Sequence, residues 1–170
     1  MKKQTNNIPA LAYMEAQIIH RASAQGLLAP VVRSVETEYG LHLGLLKSGV
    51  FLETRTLSLL YLLIVVPKEF WGLGNNHQIY QRINESWSLE MVNIIVCNSP
   101  WREPIYRFIH HLRNAMAHAN FQFKNGNIEF WDQPRNKHET YRASLSTAAM
   151  QQFLEVVGSL FANLKNEETA

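Results

Sequence analysis

Between Ile105 and Phe130 the apolar residues change their period once, and that change constrains the fold more than any other feature of the chain. Wound at about 100° per residue, the stretch from Ile105 to His118 gathers Ile105, Phe108, Ile109, Leu112 and Met116 on one stripe. From Phe121 the pattern alternates instead, Phe121 and Phe123 against Gln122, then Ile128 and Phe130 against Glu129. The Asn125-Gly126 pair between the two runs suits a type I′ turn, which needs positive φ at both central positions. An amphipathic helix must therefore run almost directly into a β-hairpin.

The rest of the chain reads as helices. A first one is expected from Pro9 to Gln25, with Gly26 past its end, and a helical region covers Ala29 to Leu46, interrupted by Gly40 and Gly44. Phe51 to Val66 reads as a central core helix, and "PKEFWGLGNN" as a loop. Another helix is expected from His77 to Cys97, followed by a turn at "NSPWREP", with Pro104 suited to the first position of the next helix. After the hairpin come a polar loop, "QPRNKHE", a short strand from Thr140 to Leu145, and a last helix capped by Ser146. The expected architecture is all-α: a helical bundle with a small β-hairpin inserted before its last helix, forming a single domain over residues 1–170.

Composition narrows the function classes. A chain of 170 residues with 46% hydrophobic and 18% charged residues can build one real core and is not disordered. Its formal charge of +2 is too small to imply a nucleic-acid or membrane partner in bulk, so any such argument rests on where the charges lie. The single Cys97, in the apolar run "MVNIIVCN", rules out an internal disulfide and fits a reducing, cytoplasmic location; it reads as a small buried hydrophobe rather than a nucleophile. Glu15, Gln17, His20 and Arg21 break the apolar stretch that a signal peptide needs, and Pro67 closes the run "LSLLYLLIVVP" far short of a membrane span. No membrane partner is expected.

The chemistry concentrates on the side of the Ile105–His118 helix opposite its apolar stripe. Arg107, His110, His111, Asn114 and His118 fall there, with Arg113 on the flank, giving a basic, imidazole-rich face directed away from the bundle. His118 follows Asn114 by four residues, so the two are neighbours. Arg113 lies about 140° around the helix from His118, so both reach one substrate only if the helix unwinds near Ala119 or if two copies face each other across a two-fold axis. Arginine supplies a planar fork of donors for phosphate, asparagine donates to phosphate or fixes an imidazole, and histidine moves a proton near neutral pH. Those are the parts required to cleave RNA without metal, by attack of the 2′-hydroxyl on the neighbouring phosphorus.

The segment "RNAMAH", Arg113 to His118, resembles the R-x4-6-H motif of HEPN domains in the common form with Asn directly after the Arg. The preceding helices and the "NFQF..GNIEFWD" hairpin look like a plasmid- and bacteria-encoded HEPN subgroup, and the resemblance spans the chain from about the first helix to the last. It implies a helical bundle that dimerises and acts as a metal-independent endoribonuclease in a toxin-antitoxin, phage-defence or RNA-processing setting. Arg113 and His118 match the motif's fixed positions and would be catalytic, His118 in proton transfer and Arg113 as the phosphate anchor, with Asn114 assisting. Arg107, His110 and His111 match no fixed position and are expected to contact substrate. No cofactor is expected, and the partners implied are RNA, a second copy of the chain and an antitoxin protein.

Other readings stay open. A noncatalytic HEPN module would bind RNA, a nucleotide or a partner protein through the same cleft, and a toxin silenced by a nucleotidyltransferase-type antitoxin would be inactive when joined to it. Trp71, Trp87, Trp101 and Trp131 could stack on bases, although such residues more often fill cores; only Trp101 and Trp131 lie near the expected site. Arg135, Lys137, His138 and Arg142 could hold an RNA backbone or simply be solvated. A metal site is not expected: no H-E-x-x-H or paired C-x-x-C occurs, and adjacent His110 and His111 diverge by about 100°. Nor does any phosphate-cradling glycine loop of the G-x-x-x-x-G-K-[ST] or G-x-G-x-x-G kind appear.

Overall fold

A computed structural model of the chain describes residues 8–44, 51–67, 71, 77–98, 103–133 and 138–167. In chain order the elements are α1 (Ile8–Ala24), α2 (Leu28–Glu38), α3 (Phe51–Leu60) continuing into a π-helical turn (Tyr61–Val65), α4 (His77–Ser86), a short 3₁₀ turn (Leu89–Met91), β1 (Asn93–Cys97), α5 (Pro104–Ala117), β2 (Phe121–Lys124), β3 (Asn127–Asp132), β4 (Tyr141–Ser146) and α6 (Thr147–Glu167).

The protein is not an all-α bundle with a hairpin. The hairpin is half of a four-stranded antiparallel sheet, in the order β1-β4-β3-β2, so the class is mixed α and β. The missing strand, β1, sits where a helix was expected to run on to Cys97. Helix α4 stops at Ser86, the Ser88 hydroxyl accepts from the Glu90 amide in a 3₁₀ turn, and the β-branched run after Val92 is extended. Strand β1 pairs with β4 alone, with a register shift between Ile94 and Val96. At this sheet edge Ile94, Ile95 and Cys97 are exposed, so Cys97 is not the buried hydrophobe expected.

The hairpin follows its turn chemistry. Asn125 and Gly126 take φ of 52° and 75°, and β2 and β3 pair in register from Lys124↔Asn127 to Phe121↔Phe130. The turn is tied to α6: the Gly126 carbonyl accepts from both the amide and the hydroxyl of Thr147. The Ser146 hydroxyl accepts from the Ala149 amide, as the expected cap. Helix α1 likewise ends before Gly26, at φ 73°.

Helix α5 lies between the other helices and the sheet. It packs against α4, the π turn and β3, and Ile105, Phe108, Ile109, Leu112 and Met116 are all buried, as the stripe requires. Around Phe108 gather Trp87, Phe153 and Phe130, with ring centroids 5.2, 5.2 and 5.8 Å away. The Trp87 indole donates to the Ala149 carbonyl, and Trp71 is buried too, so both are core residues. Helix α6 packs along α1 and also meets β3 and β4.

Candidate functional site

The sheet decides which polar residues of α5 reach solvent. The face opposite the apolar stripe does not point uniformly outward, because β3 and β4 cover part of it. His111, expected on the outer surface, is 3% exposed and stacks on Tyr141 of β4, with centroids 4.6 Å apart and planes 10° from parallel. Arg107 is half-buried on the same flank, where its charge opposes the rise of the Tyr141 hydroxyl, which burial pushes up to about 12.

One turn further on the helix, four polar groups connect. Arg113 Nη2 donates to Asn114 Oδ1 at 3.2 Å. Asn114 Nδ2 lies 3.3 Å from His110 Nε2 and donates to Asp132 Oδ2 at 2.9 Å. The same Asp132 oxygen is 2.7 Å from His111 Nδ1. Arg113, Asn114 and His110 are half-buried, whereas Asp132 is 6% exposed.

The electrostatics follow from that packing. Burial alone would raise the Asp132 carboxyl, but hydrogen bonds from His111 and Asn114 and the field of the two imidazoles outweigh it and hold the group below its usual range. For His110, burial and then the charges of Arg113 and His111 lower the imidazole below its ordinary value, against a smaller upward pull from Asp132. At neutral pH Asp132 is therefore an anion that only accepts, and a neutral His110 with its proton on Nδ1 accepts from Asn114 at Nε2.

His118 closes the helix. It is the C-cap residue, its amide donates to the Asn114 carbonyl, and Ala119 behind it is left-handed at φ 55°. Its side chain is exposed. The helix does end at this point, the condition under which His118 escapes the helical angle that separates it from Arg113.

Of the expected site residues, the fold thus joins Arg113, Asn114 and His110 directly, brings in His111 from below through Asp132, sets Arg107 against the sheet, and leaves His118 free at the helix end. Asp132 was missed, although β3 carried its signal: Ile128, Phe130 and Asp132 share one parity and all three are buried. A carboxylate in step with two core residues has to find a partner inside.

The basic strand after the hairpin is occupied within the chain. Arg142 pairs with Glu129 and Glu139 and lies 5.6 Å over the Trp131 ring, so neither Arg142 nor Trp131 stands free for nucleic acid. His138 is exposed, while Trp101, Arg135 and Lys137 lie outside the described residues. Among the described residues no three His, Cys, Asp or Glu side chains are grouped to hold a metal ion, and no helix is long and apolar enough to cross a membrane.

A helix that presents Arg-Asn and, four residues after the asparagine, an exposed histidine at its C-terminus, packed in a helical framework, is the arrangement of a HEPN domain. The chain belongs to this family: the family model HEPN pEK499 p136 matches residues 1–168. No curated protein and no solved structure matches it.

Proposed function

We propose that the protein is an endoribonuclease that works without metal, its site built from Arg113, Asn114 and His118 of α5. The observation that carries this reading is the hydrogen-bonded set Arg113–Asn114–His110 beside an exposed His118 at the end of the same helix. A guanidinium held in place and an exposed imidazole on the same helix are the parts that in-line transfer at a phosphodiester demands.

In this scheme Arg113 anchors the phosphate and the charge that develops on it. One His118 removes the proton of the 2′-hydroxyl, the oxygen attacks phosphorus, and the bond from phosphorus to the 5′ oxygen breaks. The same imidazole, now protonated, returns that proton to the departing 5′ oxygen. The products are a 2′,3′-cyclic phosphate and a 5′-hydroxyl. The dimer is part of the proposal: a two-fold axis would let Arg113 of one copy meet His118 of the other. Membership of the HEPN family supports the same scheme and a toxin-antitoxin or phage-defence setting, with an antitoxin as the further partner.

The test compares one oligonucleotide sequence as RNA and as DNA, each incubated with the protein in excess EDTA. Cleavage of the RNA alone supports the reading. Cleavage of both, or a requirement for added divalent metal, contradicts 2′-hydroxyl attack without metal. Binding of the RNA with no cleavage favours a noncatalytic HEPN module instead.

A further inference from the structure

The geometry points to Asp132 as the positioning residue for Arg113: through Asn114, the carboxylate at the end of β3 sets where the guanidinium is held. The argument runs along a chain of donors and acceptors in which each choice forces the next. Ionised Asp132 offers only acceptors, so the Asn114 amide must turn its nitrogen to it, at 2.9 Å. With Nδ2 so placed, Oδ1 faces the other way, toward Arg113, whose guanidinium offers only donors, at 3.2 Å. The second hydrogen of Nδ2 can go to His110 Nε2, 3.3 Å away, in the tautomer whose proton is on Nδ1. Reversing the amide would set oxygen against oxygen at Asp132 and N–H against N–H at Arg113.

His111 is a second partner of Asp132. It shares Oδ2 with Asn114, and its own ring is clamped between α5 and Tyr141. The sheet thus reaches through a buried carboxylate to an arginine 19 positions earlier in the chain, and the hairpin fixes the candidate site without touching substrate.

The experiment follows the Arg113 guanidinium and the Asn114 side-chain amide by 15N–1H NMR in the full chain, for wild type, Asp132→Asn and His111→Phe. An amide at position 132 can donate as well as accept, so Asn114 is free to reverse. The expected result is that Asp132→Asn shifts both the Asn114 and the Arg113 signals, while His111→Phe, which keeps the carboxylate beside Asn114, leaves Arg113 near its wild-type position. Arg113 signals unmoved in Asp132→Asn overturn the inference, as do Arg113 signals moved equally by the two variants, which marks a merely structural role. If Asp132→Asn does not fold because His111 loses its acceptor, the pair His111→Phe/Asp132→Asn removes both partners and is read against His111→Phe alone in the same way.

The kinetic arm rests on the endoribonuclease reading, and the NMR arm does not. On an RNA oligonucleotide, Asp132→Asn is expected to lower kcat about a hundredfold with KM little changed, since misplacing a transition-state anchor by about 1 Å costs that much. An unchanged kcat overturns the inference. If wild type cuts no RNA but Asp132→Asn still releases Arg113, the nuclease reading falls and the positioning role stands.

Discussion

Asp132 and Asn114, 18 positions apart, meet at 2.9 Å where the end of β3 crosses the polar face of α5. The contact ties the sheet to the helix that carries the HEPN motif. It also explains why a carboxylate is tolerated at 6% exposure: two donors converge on one of its oxygens.

The cluster around Asp132 gives the protein two acid-sensitive windows. Asp132 has its folded pKa held down, so its contribution to stability is fully present above the unfolded value of about 4 and is lost as pH falls through the lower folded value. His110 is also displaced downward, so the unfolded chain takes up its proton first; stability is lost as pH falls from about 6.5 toward the folded value. Urea midpoints measured from about pH 8 to about pH 3 should fall in both windows. Asp132→Asn should act chiefly on the lower one and His110→Gln chiefly on the upper one.

Gly158 in α6 should not tolerate alanine. In an exposed helix interior that change stabilises by about 1 kcal/mol. Here a methyl group would overlap the body of the Tyr13 ring on α1, whose hydroxyl donates to Glu155 one turn earlier. Gly158→Ala is expected to destabilise by about 1–3 kcal/mol in denaturant unfolding. Adding Tyr13→Ala should recover most of that loss.

The hairpin turn should be equally exacting. Gly126 is left-handed, and its carbonyl receives two hydrogen bonds from Thr147. Gly126→Val should cost about 1–2 kcal/mol for the backbone alone. Hydrogen exchange should quicken in β2 and β3 before it does in α5.

Particular residues show what could be read from the sequence. The α5 stripe was legible because its five apolar residues follow one period, and the hairpin because Asn125-Gly126 admits few other conformations. Strand β1 was not legible, since "VNIIVC" neither alternates nor stops at a Gly or Pro, and an apolar run of that length suits helix and strand alike. The burial of His111 escaped for another reason. A helical wheel has one apolar stripe and assigns everything else to solvent, while the sheet supplies a second neighbour that a wheel does not contain. The π turn at Tyr61–Val65 has no signal in an unbroken run of Leu, Ile and Val.

A composite site makes a prediction that no single-chain site shares. If Arg113 of one copy works with His118 of the other, Arg113→Ala and His118→Ala proteins should each be inactive alone. Mixed and allowed to exchange subunits, they should regain a substantial fraction of wild-type RNA cleavage, because one of the two sites in the mixed dimer is intact. Size-exclusion chromatography with light scattering should show a dimer in all three samples. A monomeric wild type that cleaves RNA would contradict the two-chain site.

The most direct measurement of the central claim is cleavage of end-labelled RNA in excess EDTA by wild type and by His118→Ala, with the product ends identified. His118 is exposed, so its removal should leave the fold intact. The account predicts 2′,3′-cyclic phosphate and 5′-hydroxyl ends with wild type and no cleavage with the variant. Equal cleavage by both proteins, or products ending in 3′-hydroxyl, would contradict it.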